Sequence, residues 1–135
     1  MRVKKISVSS ASNRLDAGEL SPTGNRIFTQ GTGSQPSGLA ISPDGTMVVT
    51  SNSGSNDLSV YRFDTSSGIL TLIGTPIRLG TPGNKAAFSS DGKYLYVTTN
   101  NTVVVFSANS AGGSLSSLAG SPLSTGLAPS SVAAF

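Results

Sequence analysis

Asp44 and Asp91 are the first residues whose types and spacing could do chemistry. Each stands in the same phrase, "SPDG" at 42–45 and "SSDG" at 89–92. Two carboxylates brought together can divide general acid and general base work between them. Here, though, each sits between two β-rich runs, once per repeat, which is how a structural turn device recurs. Neither lies in the run of alternating acids that a calcium loop requires. Asp57 and Asp64 are the other carboxylates that could activate water. A second group, Asn84, Lys85, Ser130 and Ser131, precedes short apolar runs, and Arg78 and Lys93 flank them. A cation beside amide and hydroxyl groups suits a small-molecule or carbohydrate ligand. These residues, with Arg78, form the candidate binding site. No catalytic residue is assigned.

The sequence excludes several chemistries. It has no Cys, hence no disulfide or thiolate metal site, and no His, the commonest general base and metal ligand at neutral pH. No metal and no cofactor is expected. The stretch "GTGSQPSG" (31–38) lacks the lysine of a phosphate loop and runs into a strand. The net charge of +3 comes from scattered cations, with Arg2, Lys4 and Lys5 the one cluster. That is not the basic stripe of a nucleic-acid interface. No apolar run has the length of a membrane span. "MRVKK" has the charge of a signal-peptide start, but "ISVSSASN" is too polar to continue one. The chain is therefore expected to be cytoplasmic or exported with its signal removed. Asn100-Asn101-Thr102 is a glycosylation sequon only in a secreted protein made by a glycosylating host.

The elements that must position these residues are β-strands. An Asp-Gly pair between β-rich runs marks a hairpin, because Gly accepts positive φ and Asp bonds back to the turn. "GLAI" (38–41) and "MVVT" (47–50) flank the first, "KAAF" (85–88) and "YLYVTT" (94–99) the second. "DLSVYRF" (57–63) then matches "TVVVFSA" (102–108), and "SSGILTLIGTPIRLG" (66–80) matches "AGGSLSSLAGSPLSTG" (111–126). In 57–63, Leu58 and Val60 alternate with Ser59, Tyr61 and Phe63, so the two sets take opposite faces. Tyr61, Phe63, Tyr94, Tyr96 and Phe106 read as packing between sheets. Pro76 and Pro122 suit an outer edge strand. No segment keeps a helical period.

Four antiparallel strands in about 45 residues are the sequence signature of a β-propeller blade. The fold class is all-β, a partial β-propeller. Residues 1–35 are expected to form half a blade with two strands, 36–80 and 81–126 a blade each, and 127–135 the first strand of another. Cut blade faces invite pairing. A homo-oligomer closing a ring is expected, a dimer first of all, with Val132–Phe135 of one copy entering a blade of the other. Two copies give about six blades, with one shared blade short of a strand. Either that blade is three-stranded or the chain is a piece of a longer protein.

The phrases "SPDGTMVVTSNSGSNDLSVYRFD", "DGKYLYVTTNNTVVVFSA" and "GGSLSSLAGSPLSTGLAPSSVAAF" resemble the lactonase-like seven-bladed propellers, which are related to YVTN-repeat proteins. The resemblance covers essentially the whole chain. It implies a lactone hydrolase of the 6-phosphogluconolactonase type, with acid, base and cationic side chains at one mouth of the central channel. No Arg-Glu-His constellation of that kind is found. The sequence therefore favours a non-catalytic propeller module that self-assembles and binds or scaffolds. The alternative is a lactonase-type hydrolase whose site forms only in the assembled channel.

Overall fold

The computed structural model describes residues 3–9, 14–21 and 24–125, with side chains described from Thr32 to Thr125. Among these residues there is no helix, and three antiparallel sheets follow one another along the chain. The first contains β1 (Val3–Ser9), β2 (Arg14–Ser21) and β3 (Gly24–Gly31). The second contains β4 (Pro36–Ile41), β5 (Met47–Asn52), β6 (Asp57–Phe63), β7 (Leu70–Leu72) and β8 (Ile77–Arg78). The third repeats that plan with β9 (Ala86–Phe88), β10 (Tyr94–Thr98), β11 (Thr102–Asn109), β12 (Ser114–Ser117) and β13 (Leu123–Ser124).

The repeated phrase does what its residues require. Ser42 N–H donates to the Met47 carbonyl and Ser89 N–H to the Tyr94 carbonyl, closing each β-hairpin. Gly45 and Gly92 sit at φ 75° and 72°, where a side chain would be strained. Asp44 and Asp91 accept from the serines that open their turns, at 2.5 and 2.6 Å. The fourth segment of each unit is broken in two. β7 and β8 both pair with β6, and β12 and β13 both pair with β11. Pro76 and Pro122 each stand one residue before the second piece, on the outer edge where a missing N–H costs no ladder bond.

The first sheet differs from the sequence expectation. Residues 3–31 form three strands, not two, because the chain reverses between Ser21 and Gly24, which pair with each other. In the second sheet the corresponding interruption, between Leu72 and Ile77, leaves both pieces on β6. The Val132–Phe135 strand lies outside the described residues.

Alternation along the strands decides the packing. Met47, Val49, Leu58 and Val60 join Phe88, Leu95, Val97 and Phe106 in a core between the second and third sheets. Val48, Tyr61, Phe63 and Leu70 form a second cluster on the opposite face of the second sheet. β1 lies against β4 and β3 against β7, so the first sheet stacks on that side. β5 is accordingly buried along its whole length. Each fully buried Leu, Met or Phe contributes about 1.5–3 kcal/mol, so this double-sided core anchors everything placed at the sheet ends.

Candidate functional site at the narrow end of the sheets

β4 and β9 are the strands at which the second and third sheets approach each other. They approach closely at Gly38. A Cβ there would collide with the Asn84 carbonyl oxygen and the Ser51 hydroxyl, so no other residue fits without a shift. Hydrogen bonds stitch this seam. Ser37 Oγ donates to the Gly83 carbonyl at 2.7 Å, and Ser51 Oγ donates to the Asn84 carbonyl at 3.0 Å. On the other side, Asn84 N–H donates to the Thr98 carbonyl and Lys85 N–H to Thr98 Oγ1. The backbone of 83–85 is thus held by both sheets. Lys85 Nζ then donates back to the Ser37 carbonyl at 3.2 Å. That bond holds an exposed ammonium over the seam, beside half-buried Asn84.

A second polar cluster lies at the same end of the second sheet, where β5 turns into β6. Asn52 is 0% exposed. Its Nδ2 donates to Asp57 Oδ1 at 2.7 Å and to Ser59 Oγ at 3.0 Å, and its Oδ1 accepts from Thr50 Oγ1 at 3.2 Å. Ser55 Oγ also donates to Asp57 Oδ1, at 2.9 Å. The buried amide has partners on both its ends, as a buried polar group must. Burial raises the pKa of the Tyr61 phenol above its ordinary value, against hydrogen bonds with Ser59 and Thr50 that lower it. The loop after β3 is tied on from outside. Ser34 N–H donates to Ser55 Oγ, and the N–H groups of Ser53 and Gly54 donate to the Gln35 and Ser34 carbonyls. Asp57 is thereby a half-buried carboxylate, fixed in orientation by Asn52 and Ser55 at the rim of the sheet end.

Of the residues singled out in the sequence, Asn84 and Lys85 come together at the seam. Arg78 does not join them. It ends the outer strand β8, exposed, opposite Asp57 in the β6–β8 register. The outer-strand position follows from the broken fourth segment, which the sequence does not reveal. Ser130 and Ser131 lie outside the described residues. Asp44 and Asp91 sit at the opposite end of the sheets in their turns. Asp64 is likewise structural, accepting from the N–H groups of Ser66 and Ser67. Sequence reasoning missed Asn52 and Ser37. The polar run "TSNSGSND" (50–57) was the available signal for Asn52; nothing in the sequence distinguishes Ser37 from the many other serines. Among the described residues no three acidic side chains gather to hold a metal ion, and no helix is long and apolar enough to cross a membrane.

Comparison with known proteins agrees with the fold. The model of the seven-bladed β-propeller lactonase family matches residues 2–127, as the repeated phrases imply. A Bacteroides fragilis structure, named as a candidate 6-phosphogluconolactonase, superposes with a TM-score of 0.83 at 17% identity, over 97% of this chain and 40% of the other. A similarly named Bacteroides uniformis protein superposes with a TM-score of 0.79 at 20% identity, over 94% and 39%. The periplasmic gluconolactonase of Pseudomonas aeruginosa gives 0.57 at 22% identity, over 86% and 37%. Among curated proteins none matches the chain. The chain spans about two fifths of the length of these structures, and at such identities the likeness is one of fold.

Proposed function

The chain belongs to the lactonase family of seven-bladed β-propellers, and from that premise we propose that it contributes to the hydrolytic opening of a sugar lactone. The observation that carries this reading is the Lys85 ammonium, held across the seam by the Ser37 carbonyl beside Asn84. In the reaction, water adds to the lactone carbonyl carbon and negative charge develops on the carbonyl oxygen. The ring C–O bond then breaks and the ring oxygen leaves as a hydroxyl, giving a hydroxy carboxylate and a proton. Lys85 is suited to the developing oxyanion, or to an anionic group on the sugar. Asp57, oriented by Asn52 and Ser55, is the carboxylate at the same end of the sheets that can take the proton from water in place of a histidine. The missing histidine favours a non-catalytic module, but the family and its gluconolactonase neighbours support the hydrolase better.

The test is proton release from glucono-1,5-lactone and its 6-phosphate, measured in a pH-stat against spontaneous opening. Turnover is expected, with Lys85→Met lowering kcat/KM by about 100-fold, the scale of a lost oxyanion donor. No turnover above background with either lactone would leave the non-catalytic binding module as the better reading.

A further inference from the structure

Equivalent places in the second and third sheets are filled with different chemistry. The register pairs Thr50 with Ser59 and Val48 with Tyr61 in the second sheet, and Val97 with Val104 and Leu95 with Phe106 in the third. Counted from the serine that opens each hairpin, Thr50, Ser59 and Tyr61 therefore correspond to Val97, Val104 and Phe106. Asn52 and Asp57 correspond to Thr99 and Thr102, whose hydroxyls pair at 2.7 Å. Thr50, Asn52 and Tyr61 are fully buried, and Val97 and Phe106 are buried as deeply. Strand pairing and stacking thus do without the hydroxyls in the third sheet. Where apolar side chains of similar shape fit, buried polar groups add little to stability, so those of the second sheet call for another role.

They close a ring around Asn52. A carboxylate only accepts, so Asn52 turns Nδ2 to Asp57 Oδ1, at 2.7 Å. Its own Oδ1 then faces Thr50, which spends its proton there, at 3.2 Å. Thr50 Oγ1 is left to accept from the Tyr61 hydroxyl, which bonds to both Ser59 and Thr50. Ser59 Oγ accepts the other Nδ2 hydrogen at 3.0 Å and returns its own proton to the Tyr61 oxygen. Each hydroxyl gives one bond and takes one, so none turns without breaking the next. Beyond the ring, Ser55 Oγ donates to the same Asp57 oxygen. Gly33 packs so closely here that a Cβ would collide with Ser55 Oγ, Asn52 Nδ2 and Asp57 Oδ1. Among the described residues nothing donates to Asp57 Oδ2.

We propose that Thr50, Ser59 and Tyr61 are positioning residues, which through Asn52 fix one oxygen of Asp57 and leave the other for proton transfer. This role rests on the lactone-opening reading, in which Asp57 is the base. The ring touches no substrate, and its work is to keep the amide, and so the carboxylate, in one orientation.

The test uses the full chain, with glucono-1,5-lactone as substrate. Thr50→Val keeps the shape of the side chain and removes the bond to Asn52 Oδ1. It should lower kcat about tenfold with KM unchanged, within what a misplaced catalytic group costs. Thr50→Ser restores the hydroxyl and should restore kcat. Val49→Ala, a core change on the opposite face of the same strand, should leave kcat alone however much it destabilises. Nuclear magnetic resonance gives a readout that needs no turnover. Thr50→Val should shift the Asn52 side-chain amide and the Asp57 carboxyl resonances, and Thr50→Ser should return them. Should Thr50→Val not fold, Tyr61→Phe, which removes only a hydroxyl, carries the same test. A parent chain that opens no lactone would sink the hydrolase reading, and the resonances would then decide alone whether the ring holds Asp57. An Asp57 carboxyl resonance that stays in place in Thr50→Val, or a kcat that falls equally in Val49→Ala, would overturn the positioning role.

Discussion

Met47 and Tyr94 hold the same position in two sheets built from the same phrase, each pairing across its turn with the serine that opens it. Met47 is 0% exposed and Tyr94 is 37% exposed. The hairpins agree in turn glycine, aspartate cap and register, so local sequence cannot account for the difference. It comes from the neighbour. The second sheet lies between two others, and the third has one of its faces against the core. In a repeat architecture a unit's stability is its own plus that of each interface it shares, so equivalent substitutions should have unequal costs.

The largest contrast should come from that pair. Met47→Ala is expected to cost about 2–5 kcal/mol, the transfer and cavity cost of a buried side chain. Tyr94→Ala should cost less than about 1 kcal/mol, as partly exposed positions do. Urea unfolding measures both losses. Equal losses would mean that the third sheet's open face is covered in the folded chain, and the comparison would break.

The same contrast explains what was legible in the sequence. The two hairpins, their Asp-Gly turns, the outer prolines and the facing of Leu58 and Val60 against Tyr61 and Phe63 follow from period and turn chemistry. These are local properties, and the observed strands agree with them to within a residue or two. The third strand of the first sheet was not legible, because a Gly-bearing interruption reads alike whether the chain reverses or only breaks stride. Lys85 and Asn84 stand out in the sequence because they precede an inner strand, and both lie at the seam between the sheets. Arg78 instead ends β8 opposite Asp57, a place set by β8 pairing outside β6, which the sequence does not reveal. Asn52 was not singled out, because a buried amide in a polar run looks like any loop asparagine until Asp57, Ser59 and Thr50 are seen around it.

A smaller effect should separate Gly38 from Lys85. These residues hold equivalent places three residues before the ends of β4 and β9. At Gly38 the backbone of Asn84 and Lys85 and the Ser51 hydroxyl leave no room for a Cβ. Gly38→Ala is expected to cost about 1–3 kcal/mol, the range for overpacking, and to move the Ser37–Gly83 and Ser51–Asn84 hydrogen bonds. Lys85→Ala, exposed, should stay within about 0.5 kcal/mol of the parent in thermal unfolding. A tolerated Gly38→Ala would mean that the seam can open, and that Lys85 is held less firmly than its bond to the Ser37 carbonyl implies.

The smallest contrast is between the two turn aspartates, Asp44 and Asp91. Asp91 accepts from Ser89 and the Lys93 N–H, both within its own turn. Asp44 accepts from Ser42 and Thr46, and its second oxygen takes a hydrogen bond from Ser110 at 2.5 Å, in the loop between β11 and β12 of the next sheet. Beside it, Arg62 donates to the Ala111 carbonyl at 3.1 Å. Both carboxyls are held below their ordinary value of 3.8, Asp44 chiefly by Ser110 and Asp91 chiefly by Ser89. A carboxyl whose folded pKa is depressed stabilises the fold above its unfolded pKa, and the contribution fades as pH falls through the folded value. Stability should therefore begin to drop below about pH 4. Both groups meet solvent, so the drop from either is small. Ser110→Ala removes only the bond between sheets, and should flatten the acid limb of the stability–pH curve more than Lys93→Ala does. In nuclear magnetic resonance titrations it should also raise the Asp44 midpoint while leaving that of Asp91 in place. An unmoved Asp44 midpoint would mean that the aspartate is held by its own turn alone, as Asp91 is, and that the repeated phrase does the same work in both sheets.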